Sequence, residues 1–178
     1  MTLSDVKTGD LFALRGGRNI ASKIIEAVTD GEYCHVGIFF WKDEDLFIAE
    51  MYNSYREISL KDRLAEGGSS TPCWGAAPEI LRLQPEKVTA EMDAFRADAR
   101  EHSYDYLTLL RVWASDKFGM EFNSEETGVV CSVYAQRIWG EVLDGFFQVL
   151  WSPNDIVKLC SEVVCLPITA TTSGGSAT

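Results

Sequence analysis

Two apolar segments, residues 35–41 and 46–52, flank the polar loop Lys42-Asp43-Glu44-Asp45. Strand-like segments joined by a short polar loop predict a β-hairpin. A loop of this length sets Gly37 opposite Glu50. Because side chains alternate across a strand, His35 shares a face with Glu50 and lies diagonal to it, within reach of a long side chain. The hairpin therefore predicts an imidazole–carboxylate pair, with Gly37 leaving room for the glutamate.

The rest of the chain mixes strand and helix signals without regular alternation, so we expect an α+β fold. Pro85 opens a predicted helix, and Ser152-Pro153 is typical of a helix start with Ser as the N-cap. Residues 53–80 contain Gly, Ser and Pro and are predicted to be mostly loop. The other expected elements are helices at 20–28, 60–64, 106–118 and 131–142 and strands at 11–15, 80–83 and 162–167.

The charge of the chain limits its classes of partner. It has 16 basic and 27 acidic residues and a net charge of −11, so phosphate backbones repel it and we expect no nucleic-acid partner. The same charge gives no attraction to anionic membranes. The longest apolar run, residues 36–41, is too short to span a bilayer, and the N-terminal residues lack a signal-peptide pattern. We therefore expect synthesis in the cytoplasm and no transmembrane segment.

The chain of 178 residues has the size of one domain. We expect a single domain over residues 1–168 and a flexible C-terminal tail over 169–178, where the sequence is TATTSGGSAT. A partner that binds such a tail would order it. A role in a protein assembly therefore stays open.

The cysteines number five, an odd count, and they form no CxxC pair and no zinc-ligand spacing. We therefore expect free thiols and no metal site. Cys131 follows a polar loop and begins a predicted helix. At a helix N-terminus a thiol meets the positive end of the helix dipole, where cysteine pKa values of about 3.5–7.5 occur and the thiol becomes a nucleophile. Cys34 follows the alternation of its strand to the face opposite His35, which makes it a poor partner for that ring. The remaining thiols are interpreted as structural, Cys73 in a loop and Cys160 and Cys165 in apolar surroundings.

Each of these residues also has a plain structural interpretation. Cys131 could be a small buried hydrophobic residue, and His35 with Glu50 could be an ordinary hydrogen-bonded pair on a strand. The second histidine, His102, is placed at the end of a predicted helix, where it would cap the C-terminus. No spacing rule joins residues as distant in sequence as His35 and Cys131. A triad of Cys131, His35 and Glu50 is therefore a hypothesis.

Several short motifs, taken in order, resemble those of the circularly permuted papain-like, NlpC-type proteins of the YaeF/YiiX group. They are GDLFAL at 9–14, CHVGIFF at 34–40, the strand end Ala49-Glu50, YDYLTLL at 104–110, VVCSVYAQRIW at 129–139 and SPNDIV at 152–157. In that family the histidine strand precedes the cysteine helix. The resemblance implies a small antiparallel sheet with the cysteine helix packed on it. It also implies Cys131 as nucleophile, His35 as general base and Glu50 as the orienting acid.

The resemblance implies a cysteine amidohydrolase or peptidase, without a cofactor, that acts on a bacterial cell-wall peptide or an acyl amide. Tyr33 and Tyr52 are candidate substrate contacts. A wall-cutting enzyme without an export signal fits a phage tail, so a virion location is one expectation. Two alternatives stay open. One is thiol-dependent lipid acyl transfer, although the Asn-Cys-Glu signature of that related group is absent here. The other is a non-catalytic assembly protein that keeps the fold.

Overall fold

The computed structural model describes residues 3–18, 20–29, 31–99, 111, 114, 130–143 and 150–166. Within these residues the fold is α+β, as expected from the sequence. The strands are β1 (Leu11–Arg15), β2 (Tyr33–Lys42), β3 (Asp45–Met51), β4 (Tyr55–Ser59), β5 (Thr71–Ala76) and β6 (Glu162–Cys165). The helices are α1 (Ile20–Thr29), α2 (Leu60–Ala65), α3 (Glu79–Arg82), α4 (Pro85–Ala99), α5 (Cys131–Leu143) and α6 (Pro153–Lys158).

In the described part of the chain, six strands form one antiparallel sheet in the order β4-β3-β2-β1-β5-β6. Strands β2 and β3 form the predicted hairpin, and their predicted register is confirmed because Ile38 lies opposite Ala49. The pairing continues to Lys42 opposite Asp45, so the turn is tighter than expected and consists of Asp43 and Glu44 alone. Asp43 has φ 56°, a left-handed conformation that aspartate tolerates better than most residues.

The two faces of the sheet have separate cores. Helix α5 packs on one face, where Tyr134, Ile138 and Trp139 join the buried residues of the strands. The indole N–H of Trp139 also donates to the carbonyl of Gly9 at 3.0 Å. The opposite face is covered in part by α2, and its cluster contains Phe12, Phe39, Leu46, Ile48, Leu60 and Trp74. The central strands are therefore buried on both sides, which explains why residues 36–41 of β2 form an unbroken apolar run.

Asp10, in the turn before β1, is completely buried and ties this turn to the end of β5. Its Oδ2 accepts the indole N–H of Trp74 at 2.9 Å, and its Oδ1 accepts the N–H of Ala77 at 3.0 Å. The Nε of Arg82 lies 3.0 Å from Oδ1. A buried charge is tolerated when it is paired and hydrogen-bonded in this way. The Gly-Asp turn is therefore a structural feature of the fold.

The prediction of mostly loop over residues 53–80 is wrong, because this segment also holds the strands β4 and β5, while the short helix expected at 60–64 is confirmed as α2. Strand β4 is an edge strand of half-buried residues, so its sequence YREIS shows little contrast between two faces. Strand β5 contains Pro72, which ordinarily argues against a strand. Here Pro72 is the second residue of β5 and contributes its carbonyl to Leu166 N–H at 2.8 Å. Cys73, placed in a loop by the sequence, is buried in this strand.

The predicted strand at 80–83 is also wrong, since these residues lie in and just after α3. Pro78 precedes this helix, and its carbonyl accepts the N–H groups of Leu81 and Arg82. The helix opened by Pro85 and the helix start at Ser152-Pro153 are confirmed. The Ser152 hydroxyl and the Asp155 carboxylate form a reciprocal capping box at that start.

Some predictions fall on other parts of the chain. The helix expected at 106–118 lies outside the described residues except for Arg111 and Ala114, which are both helical. His102 and the tail at 169–178 lie outside them entirely. The single domain over residues 1–168 stays a prediction. Among the helices that the structure describes, none combines the length and the hydropathy needed to cross a bilayer.

Candidate functional site

The candidate site begins at a β-bulge at the start of β2. Leu14 lies opposite His35, but the next residue of β1, Arg15, lies opposite Tyr33, so Cys34 is the extra residue of the bulge. The thiol of Cys34 points to backbone carbonyls, with Sγ 3.4 Å from the oxygen of Gly16. A bulge bends its strand and re-aims the neighbouring side chains. The irregularity therefore falls directly beside the histidine that the sequence singles out.

His35 and Glu50 form the pair that the hairpin predicts. Nε2 of the imidazole lies 2.7 Å from Oε2 of the carboxylate, and both side chains are buried. Gly37 makes room for this contact, because a Cβ at position 37 would lie 3.1 Å from the Cβ of Glu50 and 2.9 Å from the carbonyl oxygen of Ala49. The glutamate therefore occupies space that any larger residue at position 37 would take.

Cys131 is the first residue of α5 and is 1% exposed. The carbonyl of Val130 accepts the N–H of Tyr134, so the helix starts directly before the cysteine and its first amide groups have no earlier carbonyl to bind within the helix. The sulfur of Cys131 acts on the ring of His35 and raises the pKa of the imidazole, so the two side chains interact. Because Nε2 faces Glu50, Nδ1 is the ring nitrogen left for the sulfur. The structure thus brings Cys131, His35 and Glu50 together.

The surroundings of His35 favour its charged form. Burial lowers the pKa of the ring, but the negative charge of Cys131, the hydrogen bond with its sulfur, and the hydrogen bond and charge of Glu50 outweigh burial. The net result raises the pKa of His35 from 6.5 to about 9. At neutral pH the ring is therefore an imidazolium. The Coulomb attraction is mutual, so the imidazolium also stabilises a thiolate at Cys131.

Glu50 is held by two arginines that the sequence analysis did not single out. Arg56 donates from Nε at 2.8 Å and from Nη2 at 2.5 Å to Oε1, and Nε of Arg63 lies 3.1 Å from the same oxygen. Burial raises the pKa of Glu50, while the hydrogen bond and charge of His35, the charge of Arg63 and the hydrogen bond of Arg56 lower it. The pKa falls to about 2, so Glu50 is ionised at any ordinary pH.

The two candidate substrate contacts lie in different surroundings. The ring of Tyr52 stands edge-on to that of His35, with centroids 6.0 Å apart, and Tyr52 is 46% exposed. Tyr33 is half-buried and packs against the core on the face of the sheet that α5 covers. Burial is also the main reason that the pKa of the Tyr33 phenol is raised. Tyr52 is therefore the better placed of the two to meet a molecule that approaches the histidine.

The remaining cysteines have surroundings that differ from those of Cys131. Cys73 and Cys165 face each other across β5 and β6, with their sulfurs 2.8 Å apart. Burial raises the pKa of both Cys73 and Cys160 to about 12, so these thiols stay protonated. Cys165 is exposed, which corrects the expectation of an apolar setting. Cys73 and Cys165 lie on the far side of β1 from β2, which carries His35.

The site is poorly suited to a metal ion. Among the residues that the structure describes, no group of three or more His, Cys, Asp or Glu side chains is arranged to hold one. Both oxygens of Glu50 already have partners, and the cations Arg56 and Arg63 beside it would repel a further cation.

Comparisons with known proteins point to a fold. No protein-family model matches the chain, and no curated protein is significantly similar to it. Among solved structures, the chain is similar to the crystal structure of the metalloprotein YiiX from Escherichia coli O157:H7. The two share 16% identity with a TM-score of 0.54, over 90% of this chain and 96% of that one. At this identity the likeness is one of fold, and it agrees at that level with the YaeF/YiiX resemblance.

Proposed function

We propose that the protein is a cysteine hydrolase that cleaves an amide bond. The observation that carries the proposal is the buried group of Cys131, His35 and Glu50, in which the sulfur raises the pKa of the His35 ring and the same ring lies 2.7 Å from the Glu50 carboxylate. A thiolate beside an imidazolium is the activated form of a cysteine nucleophile, and the carboxylate fixes the orientation of the ring. The cysteine's place as the first residue of α5 adds the positive end of a helix dipole.

The first step transfers the acyl group to sulfur. The Cys131 thiolate attacks the amide carbonyl and forms a C–S bond, and the carbonyl oxygen becomes an oxyanion. Backbone N–H groups in the first turn of α5, at Cys131 and Ser132, are the donors proposed to stabilise this charge. His35 then gives its proton to the leaving nitrogen and the C–N bond breaks. The products are a free amine, a thioester on Cys131 and a neutral imidazole.

The second step releases the acid. Neutral His35 accepts a proton from water as the water oxygen attacks the thioester carbonyl. The C–S bond breaks, and sulfur leaves as a thiolate beside the regenerated imidazolium. Throughout both steps Glu50 stays ionised and accepts the N–H of His35 at Nε2, so Nδ1 faces the reacting atoms. No proton or electron is gained or lost over the cycle except through water.

The substrate we propose is a peptide amide of the bacterial cell wall, with an acyl amide as the broader class. Support for this substrate comes from the resemblance of the motifs to the NlpC-type family, and the virion location stays a prediction on the same basis. The exposed ring of Tyr52 beside His35 offers a surface for an extended substrate. Tyr33 keeps its role as a predicted contact.

The reactivity of each cysteine tests the proposed nucleophile. Iodoacetamide is added to the full chain over a range of pH, and the alkylated positions are followed by peptide mass spectrometry. We expect one fast thiol at Cys131 well below pH 8, while Cys160 reacts slowly because it stays protonated. His35→Ala is expected to slow the reaction of Cys131, and the matched variant Cys160→Ala is expected to leave it unchanged. Equal rates at Cys131 and Cys160 would refute the proposal.

Hydrolysis is measured on peptides of cell-wall type and on acyl amides, with Cys131→Ala as the variant that must be inactive. An added amine nucleophile distinguishes the alternatives. If water resolves the thioester, the acid accumulates; if the amine resolves it, a transferase is present. A reactive Cys131 with no thioester on any amide substrate would favour the non-catalytic assembly protein.

A further inference from the structure

We propose that Arg56 and Arg63 are positioning residues, which hold the Glu50 carboxylate so that only one of its oxygens faces His35. This inference rests on the proposed function, because it assigns a role within the same site. The arginines do not touch the reacting atoms and act through Glu50. The inference rests on the division of partners between the two carboxylate oxygens.

The oxygens of Glu50 have different partners. Arg56 binds Oε1 through Nε and Nη2. Nε of Arg63 lies between the two oxygens, 3.1 Å from Oε1 and 3.4 Å from Oε2, and its hydrogen bond goes to Oε2. His35 contacts Oε2 at 2.7 Å, on the oxygen that Arg56 does not bind. Because Glu50 is fully buried, water cannot replace a lost partner. The arginines thus fix the rotation of the carboxylate about its terminal bond.

Glu66 holds the two arginines in place from outside. Its Oε1 lies 2.7 Å from Nη1 of Arg56, and its Oε2 lies 3.0 Å from Nη1 of Arg63. Glu66 follows α2 directly, so this helix supplies both Arg63 and the anion that joins the arginines. With His35 and the arginines charged, three cations face Glu50, Glu66 and a Cys131 thiolate. The charges of this cluster balance when the thiolate is present.

The exposed ring of Tyr52 packs against the guanidinium groups of both arginines and limits their motion. The guanidinium of Arg56 lies 4.5 Å from the centre of the Tyr52 ring, and that of Arg63 lies 5.5 Å from it. A guanidinium over an aromatic face is attracted by the ring and loses freedom to rotate. Tyr52 therefore belongs to the positioning group as well as to the exposed surface beside His35.

The tautomer of His35 tests this proposal. In a His102→Gln, Cys131→Ala chain the only imidazole is His35, and ¹⁵N NMR at alkaline pH reports which ring nitrogen carries the proton. We expect the proton on Nε2, facing Glu50. Adding Arg56→Gln frees the carboxylate to rotate, so we expect a mixture of tautomers. Adding Arg56→Lys keeps the charge but loses one of the two hydrogen bonds to Oε1, so we expect a tautomer ratio between those of the other two chains.

Kinetics in the chain that keeps Cys131 provide the second readout. We expect Arg56→Gln to lower kcat by about 100-fold with little change in KM, because the ring is misplaced while the substrate surface remains. The matched control is Arg82→Gln, which removes an ion pair to the equally buried Asp10 away from the site. It is expected to lower stability without changing the tautomer or kcat.

The outcomes separate this proposal from the proposed function. A tautomer unchanged by Arg56→Gln, or changed equally by Arg82→Gln, overturns the positioning role even if Cys131 is the nucleophile. If Arg56→Gln does not fold, as judged by circular dichroism, Arg56→Lys compared with Arg82→Lys decides by the same criteria. The tautomer measurement uses chains without the thiol, so an inactive Cys131 would refute the proposed function and leave this result standing.

Discussion

The side-chain amide of Asn154 hydrogen-bonds to both the N–H and the carbonyl of Tyr33, two residues before His35. Oδ1 accepts the N–H of Tyr33 at 3.0 Å, and Nδ2 donates to its carbonyl at 3.2 Å. Nδ2 also donates to the hydroxyl of Thr29 at 2.8 Å. Gly31 is required here, since a Cβ at that position would lie 2.1 Å from Cγ of Asn154. Helix α6 thereby anchors the strand end that carries the histidine.

Asn154→Ala tests the importance of this anchor. It leaves the N–H and carbonyl of Tyr33 without their partner, and we expect the free energy of unfolding to fall by about 1–3 kcal/mol. We also expect slower alkylation of Cys131, because the start of β2 becomes less fixed. Ser152→Ala, which removes only the N-cap of the same helix, is the control. It should cost about 0.5–2 kcal/mol and leave the alkylation rate unchanged. Equal alkylation rates in both variants would contradict the anchoring role.

The titration of His35 tests the thiolate–imidazolium pair. The wild-type ring is expected to titrate with a pKa of about 9, measured by NMR with His102→Gln used to assign the signal. Cys131→Ala removes the charge and the hydrogen bond of the sulfur, so the pKa of His35 should fall. Because the ring then loses its proton at lower pH, an imidazolium would no longer persist at pH 8. An unchanged pKa in Cys131→Ala would mean that the sulfur carries no charge.

Acid stability reports on Glu50. Its pKa is about 2 in the folded protein and 4.5 for a free side chain, so its contribution to stability is complete above pH 4.5 and is lost as the pH falls through 2. Glu50→Gln should remove this loss. It should also lower the free energy of unfolding at pH 7 by about 3–5 kcal/mol, because it leaves the arginines without their buried anion. Denaturant unfolding at several pH values measures both, and Glu44→Gln in the exposed turn is the control.

Much of the fold and part of the site could be predicted from the sequence. The His35–Glu50 pair follows from the hairpin, where a short loop sets the register and alternation sets the faces. The interaction of His35 with Cys131 was a hypothesis from the residue types, supported by the resemblance, since no local pattern joins two elements that meet by tertiary packing. Arg56 was missed because it lies in a segment predicted as loop, and Arg63 was missed because the predicted helix at 60–64 gave no sign of the element it packs against. Both arginines bind Glu50, and the contact with Arg56 can be predicted only when β4 is known to pair with β3.

Gly37→Ala tests the space that the hairpin provides for Glu50. The added methyl group would lie 2.9 Å from Cγ2 of Ile48 and from the carbonyl oxygen of Ala49, so we expect a cost of about 1–3 kcal/mol. We also expect a displaced Glu50 and therefore a lower pKa for His35. Gly16→Ala is the control, because open space surrounds that position and its cost of about 1–2 kcal/mol comes from a φ of +68°. It should leave the His35 titration unchanged.

Cys73 and Cys165 are placed to form a disulfide under oxidising conditions. Glutathione disulfide would first react at exposed Cys165, and Cys73 would then displace glutathione, so the protein loses two thiols and two molecules of reduced glutathione form. The bridge joins residues 92 positions apart and should stabilise the fold by about 4 kcal/mol. Thiol titration, mass spectrometry and thermal unfolding measure the change, with Cys165→Ser as the control. A mixed disulfide that persists on Cys165 would show that β5 and β6 hold the sulfurs apart. Alkylation of Cys131 should be equally fast before and after the disulfide forms, since Cys131 acts on His35 of β2 and β1 separates β2 from β5 and β6.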